Sequence, residues 1–131
     1  MEQPMKKILR GMVLGVLAIF SMAFKPVHFS SDSFVLEENQ TEILNENIVW
    51  LKDNPGSVII LEGHCDEWGK DSYNMELGDR RAREIKAYLI EKGINPERII
   101  MVVSFGEKMP LDQRHNTQAW AVNRRVEFVL R

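Results

Sequence analysis

Ser57-Val58-Ile59-Ile60-Leu61-Glu62-Gly63-His64-Cys65-Asp66-Glu67-Trp68-Gly69-Lys70-Asp71-Ser72-Tyr73 reads as a strand, a loop and the start of a helix. Val58 to Leu61 is an uninterrupted apolar run, which suits a strand covered on both faces. His64 to Ser72 is polar and holds Gly69, so it reads as a loop. Leu77, Arg81, Ile85 and Leu89 then recur every fourth residue, the spacing of one helix face. This predicts a helix over Tyr73 to Lys92, with Ser72 as its N-cap and Gly93 as its stop.

Outward from this unit the pattern continues. On its N-terminal side, Ile43, Leu44, Ile48 and Leu51 mark a helix over Glu37 to Asp53, ended by Asn54-Pro55-Gly56. Before that, Val27-His28-Phe29 is a short strand and Ser30 to Ser33 a polar turn. On the C-terminal side, Asn95-Pro96-Glu97 is a turn and Ile99 to Ser104 a strand. A long loop, Phe105 to Asn123, has one helical turn near Gln118 to Val122. Arg124 to Leu130 ends the chain as an alternating strand, with Val126, Phe128 and Leu130 inward and Arg125 and Glu127 outward. The order β-α-β-α-β-β specifies an α/β (α+β) two-layer sandwich, with both helices on one side of a mixed four-stranded sheet.

The 131 residues are 44% hydrophobic and 27% charged, a composition that supports one packed core. A net charge of −2 gives no field for nucleic acid or an anionic membrane surface. The single cysteine, Cys65, excludes an intramolecular disulfide and leaves the compartment open.

Compartment is read from the N-terminus. Lys6, Lys7 and Arg10 precede an apolar run from Gly11 to Phe24 broken only by Ser21. The run is short of the roughly 20 residues a membrane span needs and suits a secretion signal. Ser21-Met22-Ala23 places small residues for a cut after Ala23. Residues 1–24 are therefore expected to be a signal peptide or an uncleaved N-terminal anchor, and 27–131 the domain. A buried first helix is the competing reading. The membrane is reached only through this segment, if it stays uncleaved.

One charge is out of place. Arg80 has Glu76 and Glu84 four residues away, and Arg83 has Asp79, so both have ordinary surface partners. Arg81 lies on the apolar stripe, with Leu77 and Ile85 at its four-residue neighbours. A guanidinium there needs an anionic partner or a path to solvent, because an unpaired buried charge costs several kcal/mol. Arg124 repeats the pattern, falling on the inward side of the last strand. An internal salt bridge, a snorkelling head group or a strand end meeting water are the structural alternatives. The acidic counterpart is Asp66, in a loop at the carboxyl end of a buried strand and before a helix N-terminus, both favoured ligand positions. Asp66 and Arg81 together suit a zwitterion, one taking an ammonium and the other a carboxylate.

Other chemistries are weaker. His64, Cys65 and Asp66 are adjacent and cannot converge on one tetrahedral ion, so no metal and no cofactor are expected. Cys65 with His64 as a nucleophile pair lacks an orienting group and an oxyanion hole. Asp66 and Glu67 as a hydrolytic acid/base pair rarely face each other when adjacent in a loop. Trp68 and Trp120 lie in loops, where aromatics serve either local packing or contact surfaces.

Gly63-His64-Cys65-Asp66-Glu67-Trp68-Gly69, Tyr73-Asn74, Leu77-Gly78, Arg81-Ala82, Gly93, Phe105-Gly106, Pro110 and Asn123-Arg124-Arg125-Val126-Glu127 together resemble the OmpA-like peptidoglycan-binding domain family, over about Val27 to Arg131. Within it the chain is most similar to the peptidoglycan-associated lipoprotein (Pal) branch. The resemblance implies a non-catalytic envelope protein of the Gram-negative periplasm, outer-membrane or wall associated. It implies non-covalent binding of peptidoglycan through the meso-diaminopimelate of the stem peptide. It assigns Asp66 and Arg81 to that residue, Arg124 to support, and Asn74, Phe29, Ser30 and His64 to the site. It also implies a TolB-like periplasmic partner in a Tol-Pal system.

Three features depart from the branch. No cysteine ends the apolar segment, so a lipid anchor has no support in the sequence. Ser30 stands where an aspartate is usual, with Asp32 nearby. Trp68 stands where an arginine is usual. A protein-interaction module centred on Trp68, Trp120 and His115, and a wall hydrolase using Glu67, are the competing functions.

Overall fold

A computed structural model describes residues 24–131, so the segment read as signal peptide or anchor lies outside the described residues except for Phe24. The elements run β1 (Val27–His28), α1 (Glu38–Asp53), β2 (Ile59–His64), α2 (Asp71–Glu91), a 3-10 turn (Pro96–Arg98), β3 (Ile99–Gly106), α3 (Thr117–Asn123) and β4 (Arg125–Leu130). The sheet order is β1-β4-β2-β3. β4 lies antiparallel to both β1 and β2, while β2 and β3 are parallel. The mixed four-stranded sheet anticipated from the sequence is present. No helix of the described residues is long and apolar enough to cross a membrane.

The core is one cluster. Leu44, Ile48 and Leu51 of α1 and Ala82, Ile85 and Leu89 of α2 pack on Val27, Ile59, Leu61, Val126 and Phe128 of the sheet. It is the expected burial of a helix stripe against alternate strand residues. The packing begins at Phe24, three residues before the expected boundary. Its ring lies edge-on to Trp50 at 4.8 Å and 5.4 Å from Phe128. Asn47 fixes this entry, accepting from Lys25 N at 3.0 Å and donating to Lys25 O at 2.8 Å. Arg98 closes the other end of α1 by donating to Leu51 O at 2.7 Å and Asn54 O at 2.9 Å, carbonyls a helix C-terminus leaves free.

Four expectations change. Ser72 is not the N-cap: α2 begins at Asp71 after Lys70, with no side-chain cap, and an acidic first residue meets the helix dipole instead. β3 extends two residues past Ser104, because its pairing with β2 continues to His64 opposite Gly106. The turn near Gln118 is a helix of its own, α3, capped by Asn116, whose side chain accepts from Ala119 N at 2.8 Å. Arg124 caps that helix, and the last strand starts at Arg125.

Arg125 is the larger correction. Alternation put it outward, yet it is 2% exposed. It does lie on the sheet face away from the helices, but the segment before α3 covers that face there. The guanidinium donates to Met109 O at 3.1 Å and Asn123 O at 3.2 Å and pairs with Glu127 at 2.8 Å. Strand phase gives the face and says nothing of what a distant loop covers.

Candidate functional site

Two glycines set the position of Arg81. A Cβ on Gly63 would stand 1.8 Å from Gly78 O, and one on Gly78 would stand 2.3 Å from Ser104 Oγ. Only bare backbone lets α2 approach β2 and β3 this closely. One turn further along α2, Arg81 is thereby carried beneath the carboxyl end of β2.

Arg81 is 0% exposed. It donates from Nε to Ser33 O at 2.7 Å, from Nη1 to His64 O at 3.0 Å and from Nη2 to Ser30 O at 3.1 Å. Its Cζ lies 5.4 Å from the centre of the Phe29 ring, a cation–π arrangement. Among the described residues no carboxylate comes within ion-pair distance of it. Burial is the main influence on this guanidinium, and it lowers its pKa. Among the described residues its hydrogen bonds go to neutral carbonyls alone, with two N–H donors of its five left over.

Asp66 is buried nearby. Its Oδ2 lies 3.2 Å from Arg124 Nη1 and its Oδ1 accepts from Trp68 N at 3.1 Å. Arg124 is fixed in turn by donating from Nε to Phe29 O at 2.9 Å. Asn74, 1% exposed, has a buried side-chain nitrogen with no hydrogen-bond partner among the described residues. Asp66, Asn74 and Arg81 line one cavity of about 410 Å³ with Asp32, Trp68, Tyr73 and Leu77. Phe29, Ser30 and Arg124 border a neighbouring groove of about 340 Å³.

The sequence-derived residues thus divide. Asp66, Arg81 and Asn74 meet at the cavity, with Arg124 behind Asp66. Phe29 supports Arg81 with its ring. Ser30 gives its carbonyl to Arg81 and its hydroxyl to Glu37. His64 contributes only its carbonyl. Its ring is on the opposite face of the sheet, stacked on Phe105 at 5.4 Å, and burial with the nearby Arg125 charge pushes its pKa down to about 4.

Two lining residues were named from the sequence but not assigned to the site. The Tyr73 hydroxyl donates to Asp32 across the cavity mouth. Tyr73 stands four before Leu77 and eight before Arg81, so helix phase alone carried that signal. Asp32, with φ of 55°, takes the left-handed position in the polar turn expected over Ser30 to Ser33.

Catalytic arrangements find no support in these positions. Cys65 is buried, donates from Sγ to Asn74 O at 3.1 Å and has its thiol pushed up to about 11, chiefly by burial. Glu67 accepts from Trp120 Nε1 at 2.7 Å and lies 2.7 Å from His115 Nδ1. Those contacts hold its carboxyl below the usual range, the wrong direction for a general acid. Asp66 is tied to Arg124 rather than facing Glu67.

The chain matches the family model described as OmpA family over residues 28–124. The peptidoglycan-associated lipoprotein of Pseudomonas aeruginosa is 39% identical over 106 residues, 81% of this chain and 62% of that protein. That of Pseudomonas putida is also 39% identical over 106 residues, 63% of its length. The chain therefore spans less than two thirds of these relatives. A crystal structure of the peptidoglycan-associated lipoprotein from Burkholderia pseudomallei superposes with a TM-score of 0.77 at 30% identity, covering 85% of this chain and 93% of that one. The C-terminal domain of Helicobacter pylori MotB gives a TM-score of 0.75 at 20% identity, covering 82% and 84%. The latter is a likeness of fold alone.

Proposed function

The chain belongs to the OmpA family, and from that membership we propose that it is a non-catalytic envelope module that binds peptidoglycan and ties a Gram-negative envelope to its wall. The ligand is the diaminopimelate of the stem peptide, whose side chain ends in an ammonium and a carboxylate. Arg81 takes the carboxylate, Asp66 the ammonium, and Asn74 donates to an oxygen between them. Arg124 holds Asp66 in place. The similarity to proteins named for peptidoglycan association supports the ligand class.

One observation carries the residue assignment: a fully buried guanidinium beside a cavity, hydrogen-bonded among the described residues only to neutral carbonyls. Such a charge costs stability unless an anion arrives. Asn74 in the same wall, whose side-chain nitrogen has no partner among the described residues, points the same way.

Co-sedimentation with purified sacculi tests the reading. The protein is expected to pellet with diaminopimelate-type sacculi and not with sacculi carrying lysine at that position. Arg81→Lys, which keeps the charge and loses the planar fork, is expected to stay in the supernatant. Equal retention of Arg81→Lys and Asp66→Asn with the parent protein would refute it.

A second reading is favoured by one feature. Trp68, 60% exposed, meets Trp120 edge-on at 5.3 Å, and Glu67 ties Trp120 to the His115 loop. Such an aromatic pair suits a protein partner of the TolB kind. Capture of a TolB protein, lost on Trp120→Ala, would favour it. No complex at micromolar protein would retire it.

A further inference from the structure

The sheet face turned away from the helices carries a cluster that peptidoglycan binding does not use. The register of β2 and β4 sets Glu62 directly opposite Glu127. Like charges directly opposite on adjacent strands repel and weaken the pairing. His64 follows two residues along β2 on the same face. It is 2% exposed, and its Nε2 lies 3.4 Å from Glu62 Oε1 and 3.7 Å from Glu127 Oε2. Neither ring nitrogen has a hydrogen-bond partner among the described residues. A buried imidazole left unsatisfied and aimed between two carboxylates is expensive as a purely structural device.

We propose that Glu62, His64 and Glu127 form a site for a divalent cation of the zinc type. One ligand atom from each residue lies within 4.8 Å of the others. Bonds of roughly 2.1 Å in tetrahedral geometry set ligand atoms about 3.4 Å apart. Rotation of the carboxylates closes that difference while the sheet keeps the three backbones in register. An imidazole with two carboxylates suits zinc or its transition-metal neighbours. Calcium asks for six to eight oxygens and magnesium for a water-rich octahedron.

The surroundings define the site further. Phe105 stacks on the His64 ring and fixes its plane. Both carboxylates are partly exposed, so ions enter from solvent and water completes the coordination. Arg125 contacts Glu127 through Oε2, the oxygen nearest His64, at 3.0 Å from Nε and 2.8 Å from Nη2. Its charge opposes the ion, so the affinity falls in the micromolar range rather than at the tightness of a structural zinc site. This site stands apart from the wall-binding reading and fails or survives independently of it.

The test is titration of tag-free, metal-stripped protein with zinc, scored by equilibrium dialysis and thermal unfolding, and with cobalt, scored by visible absorption. One zinc per chain at micromolar concentration is expected, with a rise in Tm and a tetrahedral cobalt band. His64→Gln and Glu127→Gln are expected to weaken uptake at least tenfold. Glu62→Gln keeps the imidazole and removes the facing charge. It is expected to unfold at a higher temperature than the parent without metal, yet to gain nothing from zinc. If His64→Gln does not fold, the two glutamate variants decide. Uptake unchanged in the folded variants would overturn the proposal, because the ion then sits elsewhere, and so would no uptake below millimolar zinc.

Discussion

Arg124, and not Arg81, holds the carboxylate of Asp66, with Nη1 3.2 Å from Oδ2. The two arginines therefore have different duties at one cavity. Arg124 orients an anion already present, while Arg81 has no anion of its own among the described residues. Asp66→Asn is expected to weaken peptidoglycan binding roughly tenfold or more, the scale of one charge-assisted hydrogen bond. Arg124→Gln frees the carboxylate without removing it and is expected to cost less. Sacculus binding isotherms for the two variants check this order. A greater loss in Arg124→Gln would mean that Arg124 itself meets the ligand.

Asn74 offers a trade of function against stability. Its side-chain nitrogen is buried without a partner among the described residues, a state that costs about 1–3 kcal/mol. Asn74→Leu is close in size and apolar. It is expected to leave urea stability equal or higher while reducing wall binding. Lower stability together with unchanged binding would show that the amide serves the fold.

How much of this was legible in the sequence depends on range. The α2 stripe displayed Arg81 as a charge among Leu77, Ile85 and Leu89, and the loop placed Asp66 at a strand end, so helix phase and strand order brought the pair to one region. Phase carried no information on the partner of Asp66, because Arg124 reaches it from 58 residues away. The same limit hid Arg125, whose alternation was read correctly while the covering loop was not. The facing of Glu62 and Glu127 depends on the register of two strands far apart in sequence, which no local pattern specifies. Asn116 as a helix cap was local and was available to be read.

The glycine contact predicts a large stability effect with no chemistry at the site. Gly63→Ala places a Cβ 1.8 Å from a backbone oxygen that no rotamer change can move. A loss of about 3 kcal/mol or more is expected in chemical denaturation, together with weaker binding as Arg81 shifts with α2. Gly56→Ala, where nothing lies within 4 Å, is the control and is expected to lose little.

Acid stability follows from His64. Its pKa in the fold is about 4, against the ordinary 6.5. Between those values the unfolded chain binds the proton and the folded chain does not. The stability from neutral His64 is fully present above pH 6.5 and is lost as pH falls toward 4, by roughly 3 kcal/mol. Glu62, Glu127 and Arg125 share that face, and Glu62, with its carboxyl held above the usual range chiefly by burial, acts in the opposite sense. Comparing the parent with His64→Gln in chelator isolates the imidazole. The variant is expected to show a flatter profile from pH 7 to 4, and parallel profiles would contradict the burial account.

In the proposed function, buried Arg81 and paired Asp66 read a zwitterion. Calorimetric titration of the purified protein with a diaminopimelate stem peptide, beside the same peptide carrying lysine, addresses it most directly. Lysine keeps the ammonium and lacks the second carboxylate. Saturable binding of the first peptide, lost in Arg81→Lys, with at least tenfold weaker binding of the second is the predicted result. Equal affinity for both peptides would contradict it, because Arg81 would then have no carboxylate to receive.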